Sequence, residues 1–200
     1  MSGPDGKPRL TTRASTGGPG EPVVFTADEQ NAVDIDVLRW TKLAEEVLLA
    51  EGVRGHCELN IIFVSESDMA EFNAEHMGKD GTTDVLSFPI DAEDMAMAPV
   101  PDPLRSGPDR APVDVDDLPL LLGDVVICPV VAQRQAPTHA GNLDDELALL
   151  VVHGILHVLG HDHVEADERE RMWSRERELL SAHHWHGDVP GGFTQDQVGN

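Results

Sequence analysis

His153 and His157 stand four positions apart inside Leu147–Leu159, the most apolar segment of the chain. On a helix that spacing is about one turn, ~6 Å along the axis, so both imidazoles leave one face and can share a metal ion. Gly160 follows three residues later and can end the helix in a left-handed conformation, turning His163 back toward the pair. Three imidazole nitrogens at zinc distance leave a fourth tetrahedral position for water, the arrangement of catalytic zinc rather than of closed structural sites. Core histidines satisfied by hydrogen bonds are the bland alternative, but the H-x3-H-x2-G-x2-H spacing favours one Zn2+ per chain on His153, His157 and His163. The metzincin protease signature HExxHxxGxxH has the same spacing, yet Gly154 stands where its glutamate base would be. Peptide hydrolysis is poorly served, and another electrophile is expected.

The elements that must position these histidines are legible from period and punctuation. Asn142 is expected to cap the histidine helix, with Asp144, Asp145 and Glu146 suiting the positive end of its macrodipole. Its apolar residues lie nearly all round, which marks a buried element. Upstream, Ile35 to Ala50 carries a helical stripe broken by Gly52, and Leu59 to Val64 is a short β-branched strand. Ser65 caps a helix through Met77, Val85 to Ile90 and Asp124 to Ile127 are strands, and Pro129 opens another helix. A charged helix over Glu165 to Ala182 follows, its acidic residues alternating with Arg169, Arg171, Arg175 and Arg177 as on a solvated face. These elements predict an α+β layer fold in a single catalytic domain, residues 23–185. Residues 1–22 are expected to be a disordered leader, 92–119 a mobile acidic insertion and 186–200 a flexible tail.

Composition narrows the function classes. Thirty-seven acidic against fourteen basic residues give a net charge of -23, which excludes a general nucleic-acid coat protein and makes any RNA contact local. Two cysteines, Cys57 and Cys128, cannot build a disulfide framework. The N-terminal residues do not resemble a signal peptide, and Leu147–Leu159 is too short to span a bilayer, so a cytoplasmic protein without membrane contact is expected.

The run His153-Gly154-Ile155-Leu156-His157-Val158-Leu159-Gly160-His161-Asp162-His163 resembles the HGxLHLxGYDH signature of the YbeY family of bacterial ribosomal-RNA maturation endoribonucleases, with His161 in place of the usual tyrosine. Thr83-Asp84-Val85-Leu86-Ser87-Phe88-Pro89 and Leu122-Gly123-Asp124-Val125-Val126 match the same family in the expected order. The resemblance implies a mixed four-stranded sheet flanked by helices, zinc on His153, His157 and His163, and cleavage of single-stranded RNA. It further implies late rRNA processing, including 3′-end maturation of the small-subunit rRNA, and ribosome quality control. The partners implied are ribosomal RNA and the small ribosomal subunit, with its basic proteins or an assembly GTPase.

In the family pattern N-x-x-aromatic-R-x-K-D, Asn73, Lys79 and Asp80 are in place, while His76 takes the aromatic position and Met77 that of the arginine. An arginine there would suit phosphate, so Lys79 is either the substitute cation or an ordinary solvated lysine. Two competing functions remain: a peptide or amide metallohydrolase with another carboxylate as base, and a non-enzymatic ribosome-assembly factor whose zinc is structural. Asp162 either orients a ligand histidine or serves a turn. His183, His184 and His186 are expected to face solvent, Cys128 to be a small buried hydrophobe, and Asp84 to cap or turn before its strand.

Overall fold

The computed structural model describes residues 11–18, 20–90, 119–161 and 166–195. Five strands form one mixed sheet: β1 (Thr12–Thr16), β2 (Val23–Asp28), β3 (Cys57–Phe63), β4 (Val85–Pro89) and β5 (Leu120–Ile127), in the order β1-β2-β3-β5-β4. The inner pairs β2–β3 and β3–β5 are parallel, while the edge strands β1 and β4 run antiparallel to their neighbours. The α+β class therefore stands, but the expected four strands are five. The additional strand falls within the supposed disordered leader, where Thr12 to Thr16 pair with Asp28 to Val24. A polar edge strand needs only backbone partners on one side, which is why TRAST carries no hydrophobic alternation.

Helix α1 (Val37–Ala50) and helix α4 (Leu143–Val158) lie on one face of the sheet, with α5 (Ala166–His183) packed against both. The main core joins Val24, Leu59, Ile61, Phe63, Val125 and Ile127 from the strands to Trp40, Val47 and Leu48 of α1, Leu150 and Ile155 of α4, and Met172 and Leu180 of α5. On the opposite face, α2 (Glu66–Phe72) and α3 (Pro129–Gln135) close a smaller cluster in which Met69 and Val131 meet Leu86 and Val126. Alternation along β3 follows from this: Leu59, Ile61 and Phe63 are fully buried under the large helices, and the residues between them are half-exposed.

Helix ends sit where their side chains dictate. Asn142 accepts from the backbone N–H of Asp145 at 3.0 Å, Ser65 accepts from that of Asp68 at 3.3 Å, and Pro129 is the first residue of α3. The helix expected to run unbroken to Met77 instead changes pitch: after Phe72 comes one π-helical turn, Asn73–Met77, ended by Gly78 at φ +63°. Past α5 the chain does not fray at residue 186 as expected. Trp185 meets Phe193 edge-to-face at 4.8 Å, and the backbone N–H and Oγ1 of Thr194 donate to the carbonyl of His139 at 3.0 and 3.1 Å. These two partly buried rings and the Thr194 hydrogen bonds offset the ordering entropy that the polar composition suggested. The insertion from 92 to 118, the leader up to Leu10 and the tail from 196 lie outside the described residues. No helix among the described residues is long and apolar enough to cross a membrane.

Candidate functional site

Helix α4 reaches the sheet so closely that a side chain is forbidden at one point of contact. A Cβ added to Gly154 would lie 2.4 Å from Cγ1 of Val125 and 3.3 Å from Oγ of Ser87, and Ser87 Oγ donates to the Gly154 carbonyl at 3.2 Å. That close approach seats the histidine helix on β4 and β5, and it gives the physical reason for glycine where a metalloprotease carries glutamate. His153 and His157 leave α4 on successive turns with ring centroids 4.6 Å apart and planes at 77°. His153 is buried at 3% exposure and His157 is half-buried. Both line a cleft of about 270 Å³, walled by β4 on one side and by the π-helical turn with its following loop on the other.

The end of α4 closes as the glycine predicts. Gly160 has φ +88°, the His161 N–H donates to the Leu156 carbonyl at 2.9 Å, and the Gly160 N–H donates to that of His157 at 3.0 Å. These two bonds form a Schellman cap, which reverses the chain beyond the helix. His161 Nε2 then lies 3.5 Å from Glu51 Oε2, while Arg175 Nε donates to Glu51 Oε1 at 2.6 Å. The residue that replaces the family tyrosine is thus tied to both α1 and α5. His163 and Asp162 lie outside the described residues. Among the described residues no group of three or more His, Cys, Asp or Glu side chains could hold a metal.

Opposite the histidines, the π-helical turn and the loop after it bring Asn73, Met77 and Lys79 to the cleft. Asn73 is buried and organises that wall: its Nδ2 donates to the Gly81 carbonyl at 2.9 Å and its carbonyl accepts from the Lys79 N–H at 3.4 Å. His76 stands in for the family's aromatic residue as a packing element, stacked on Phe72 at 6.1 Å and edge-on to Phe88 at 5.0 Å. Met77 is exposed. One extra residue per turn re-aims the side chains that follow it, a common role of π turns beside functional sites.

Two carboxylates behind the cleft carry more than pattern reading assigned to them. Glu176 on α5 is fully buried, and its Oε1 lies 2.8 Å from His153 Nδ1. The expected solvated face of α5 is corrected here: Glu176 shares a face with Met172, Leu179 and Leu180, all buried, and that shared stripe was its only signal. Asp84 accepts from Val85 N at 2.9 Å as a cap would, yet it is 1% exposed and its Oδ2 has no hydrogen-bond partner among the described residues. Burial pushes its carboxyl above the ordinary range, against hydrogen bonds from Thr83 and Val85. Cys128 is fully buried, as expected. His184 does not face solvent: its Nε2 meets Asp145 Oδ1 at 2.7 Å, beside the Trp185 indole N–H on the same oxygen.

The family model described as Endoribonuclease YbeY matches residues 25–184. The chain belongs to that family. A curated Endoribonuclease YbeY of Frankia casuarinae is 42% identical over 82% of this chain and 75% of its own length. That of Acidothermus cellulolyticus is 44% identical over 80% and 89%, and that of Thermobifida fusca 42% over 76% and 88%. The solution structure of a Thermotoga maritima protein aligns at 23% identity and a TM-score of 0.46, over 80% of this chain and 95% of that one. The YbeY match spans every residue that builds the cleft, from Asn73 to His157, together with Glu176.

The two imidazoles described in the cleft are a donor type that fits a zinc ion. With Nδ1 of His153 committed to Glu176, ligation by that ring must use Nε2, and a carboxylate behind a ligating histidine is the usual support of zinc-bound imidazoles. His157 presents a second imidazole from the next turn, as metal-binding helices do.

Proposed function

We propose that this endoribonuclease is zinc-dependent and specific for single-stranded RNA, acting in the cytoplasm in late rRNA processing, at 3′-end maturation of small-subunit rRNA, and in ribosome quality control. Its partners are then ribosomal RNA and the small ribosomal subunit, with its basic proteins or an assembly GTPase. The observation that carries this reading is the convergence of His153 and His157 with Asn73, Met77 and Lys79 on one cleft. His153, His157 and His163 hold one Zn2+ per chain. Bound zinc supplies a Lewis acid that lowers the pKa of water to about 7 and polarises a phosphodiester oxygen.

The chain's own groups do the rest. Lys79, on the wall facing the histidines, meets the scissile phosphate as a point charge in place of the arginine that Met77 displaces. Asn73 holds the loop that presents Lys79. Peptide hydrolysis has no support at position 154, because a glutamate there would collide with Val125. Cleavage of a single-stranded RNA and of its duplex by the wild-type protein and by His157→Ala tests the proposal. Cutting of the single strand alone, lost in His157→Ala, is expected; equal cutting by the variant, or of the duplex, contradicts it.

A further inference from the structure

Residues 184–195 fold back over α4 and α5 and end against the carboxylate that supports His153. The segment is held to α4 and to the loop before it, and by a ring pair within itself. The Trp185 indole donates to Asp145 at 2.7 Å, the Trp185 and Phe193 rings pack edge-to-face, and Thr194 binds the His139 carbonyl. The next residue, Gln195, is 3% exposed. Its Nε2 donates to Glu176 Oε2 at 2.5 Å and to the Trp173 carbonyl at 3.3 Å, and its Oε1 accepts from Arg177 Nε. Arg177 can only donate and Glu176 here accepts, so the amide of Gln195 has a single satisfying orientation. Glu176 in turn meets His153 Nδ1 through its other oxygen, at 2.8 Å.

We propose that Gln195 is a positioning residue for the metal site: by holding Oε2 of Glu176 it keeps Oε1 on His153 Nδ1, which fixes the imidazole as the Nδ1–H tautomer and aims Nε2 into the cleft. The chain Arg177–Gln195–Glu176–His153 is buried from Gln195 onward, so each link limits the rotamers of the next. Gln195 lies beyond residues 25–184, the span matched by the family model. Without the amide, the Glu176 carboxylate keeps one hydrogen bond of the two described, and its plane is free to turn away from the ring. Outer supports of metal-bound histidines typically change metal affinity by about 10- to 100-fold.

This inference rests on zinc ligation by His153, and two readouts keep the two ideas apart. Gln195→Met retains the packing volume and removes the amide; Glu176→Ala removes the carboxylate itself. In metal-free protein, nitrogen-15 NMR of the His153 ring reports the tautomer, and competition of Zn2+ with a chromophoric chelator reports affinity. The expected result is a single Nδ1–H tautomer in wild type and a mixture in both variants, with zinc affinity lowered about tenfold in Gln195→Met. A wild-type tautomer and zinc affinity in Gln195→Met would overturn the role of Gln195. If the wild-type protein bound no zinc, the metal assignment would fall, and the tautomer measurement would still decide whether Gln195 positions His153.

Discussion

Gly154 bears a steric constraint that one methyl group tests. Because its Cβ would sit 2.4 Å from Val125, a stiff β-branched residue in the centre of β5, Gly154→Ala is expected to cost about 1–3 kcal/mol despite alanine's better helix propensity. Urea unfolding of the two proteins measures it, and an unchanged or raised midpoint contradicts the close approach. Asp145 makes a pH-dependent prediction. Burial raises its pKa, but hydrogen bonds from Trp185, His184 and Asn142 outweigh that and hold it below the ordinary value of 3.8. A folded-state pKa below the unfolded one gives stability that is full above pH 3.8 and lost as pH falls through the folded value. The stability difference between wild type and Asp145→Ala should therefore shrink as pH falls through the folded-state pKa of Asp145. A difference that grows on acidification would reverse the sign. Residues of this kind differ in how far the sequence exposes them. His153 and His157 are legible because two ligands one turn apart form a local pattern. Glu176 is not, because a glutamate flanked by Arg175 and Arg177 looks solvated until the buried Met172 and Leu180 are seen on its own face.

The proposed contact with phosphate falls on the wall opposite the histidines, the π-helical turn and the loop after it. Met77→Arg restores a guanidinium to the π-helical turn and is expected to raise cleavage of single-stranded RNA, while Lys79→Ala is expected to lower it. If neither changes turnover, phosphate does not contact this wall. The cap of α4 is a second test. Gly160 at φ +88° has open space around it, so Gly160→Val is opposed by backbone strain and should loosen the left-handed turn that ends α4; with His163 as the proposed third ligand, zinc content should fall. Unchanged zinc would show that the left-handed turn is not required. Caps and breakers made these helices readable: Asn142, Ser65, Pro129 and Gly160 all act locally. The π turn and β1 were not readable, since one inserted residue at Asn73–Met77 leaves no period, and TRAST takes its place in the sheet from the backbone of β2.

Across the whole molecule, a net charge of -23 opposes the binding of RNA over most of the surface and leaves affinity to local groups and to partners. The acidic insertion, residues 92–119, joins two strands already held together, with Pro89 opposite Gly123 and the Ile90 N–H on the Leu122 carbonyl. Replacing it by a short linker should therefore spare melting temperature, zinc content and cleavage of naked RNA. Pull-down of small-subunit particles should weaken most at low salt if the insertion docks a basic ribosomal protein, and equal recovery at two salt concentrations would mark it as inert. We propose that cleavage runs through one zinc on His153, His157 and His163. The most direct test is a titration of Zn2+ into chelator-stripped protein, with bound metal and cleavage of single-stranded rRNA followed in the same samples. Cleavage should rise from background in proportion to bound zinc and level off at one ion per chain, whereas full cleavage by the stripped protein would contradict it.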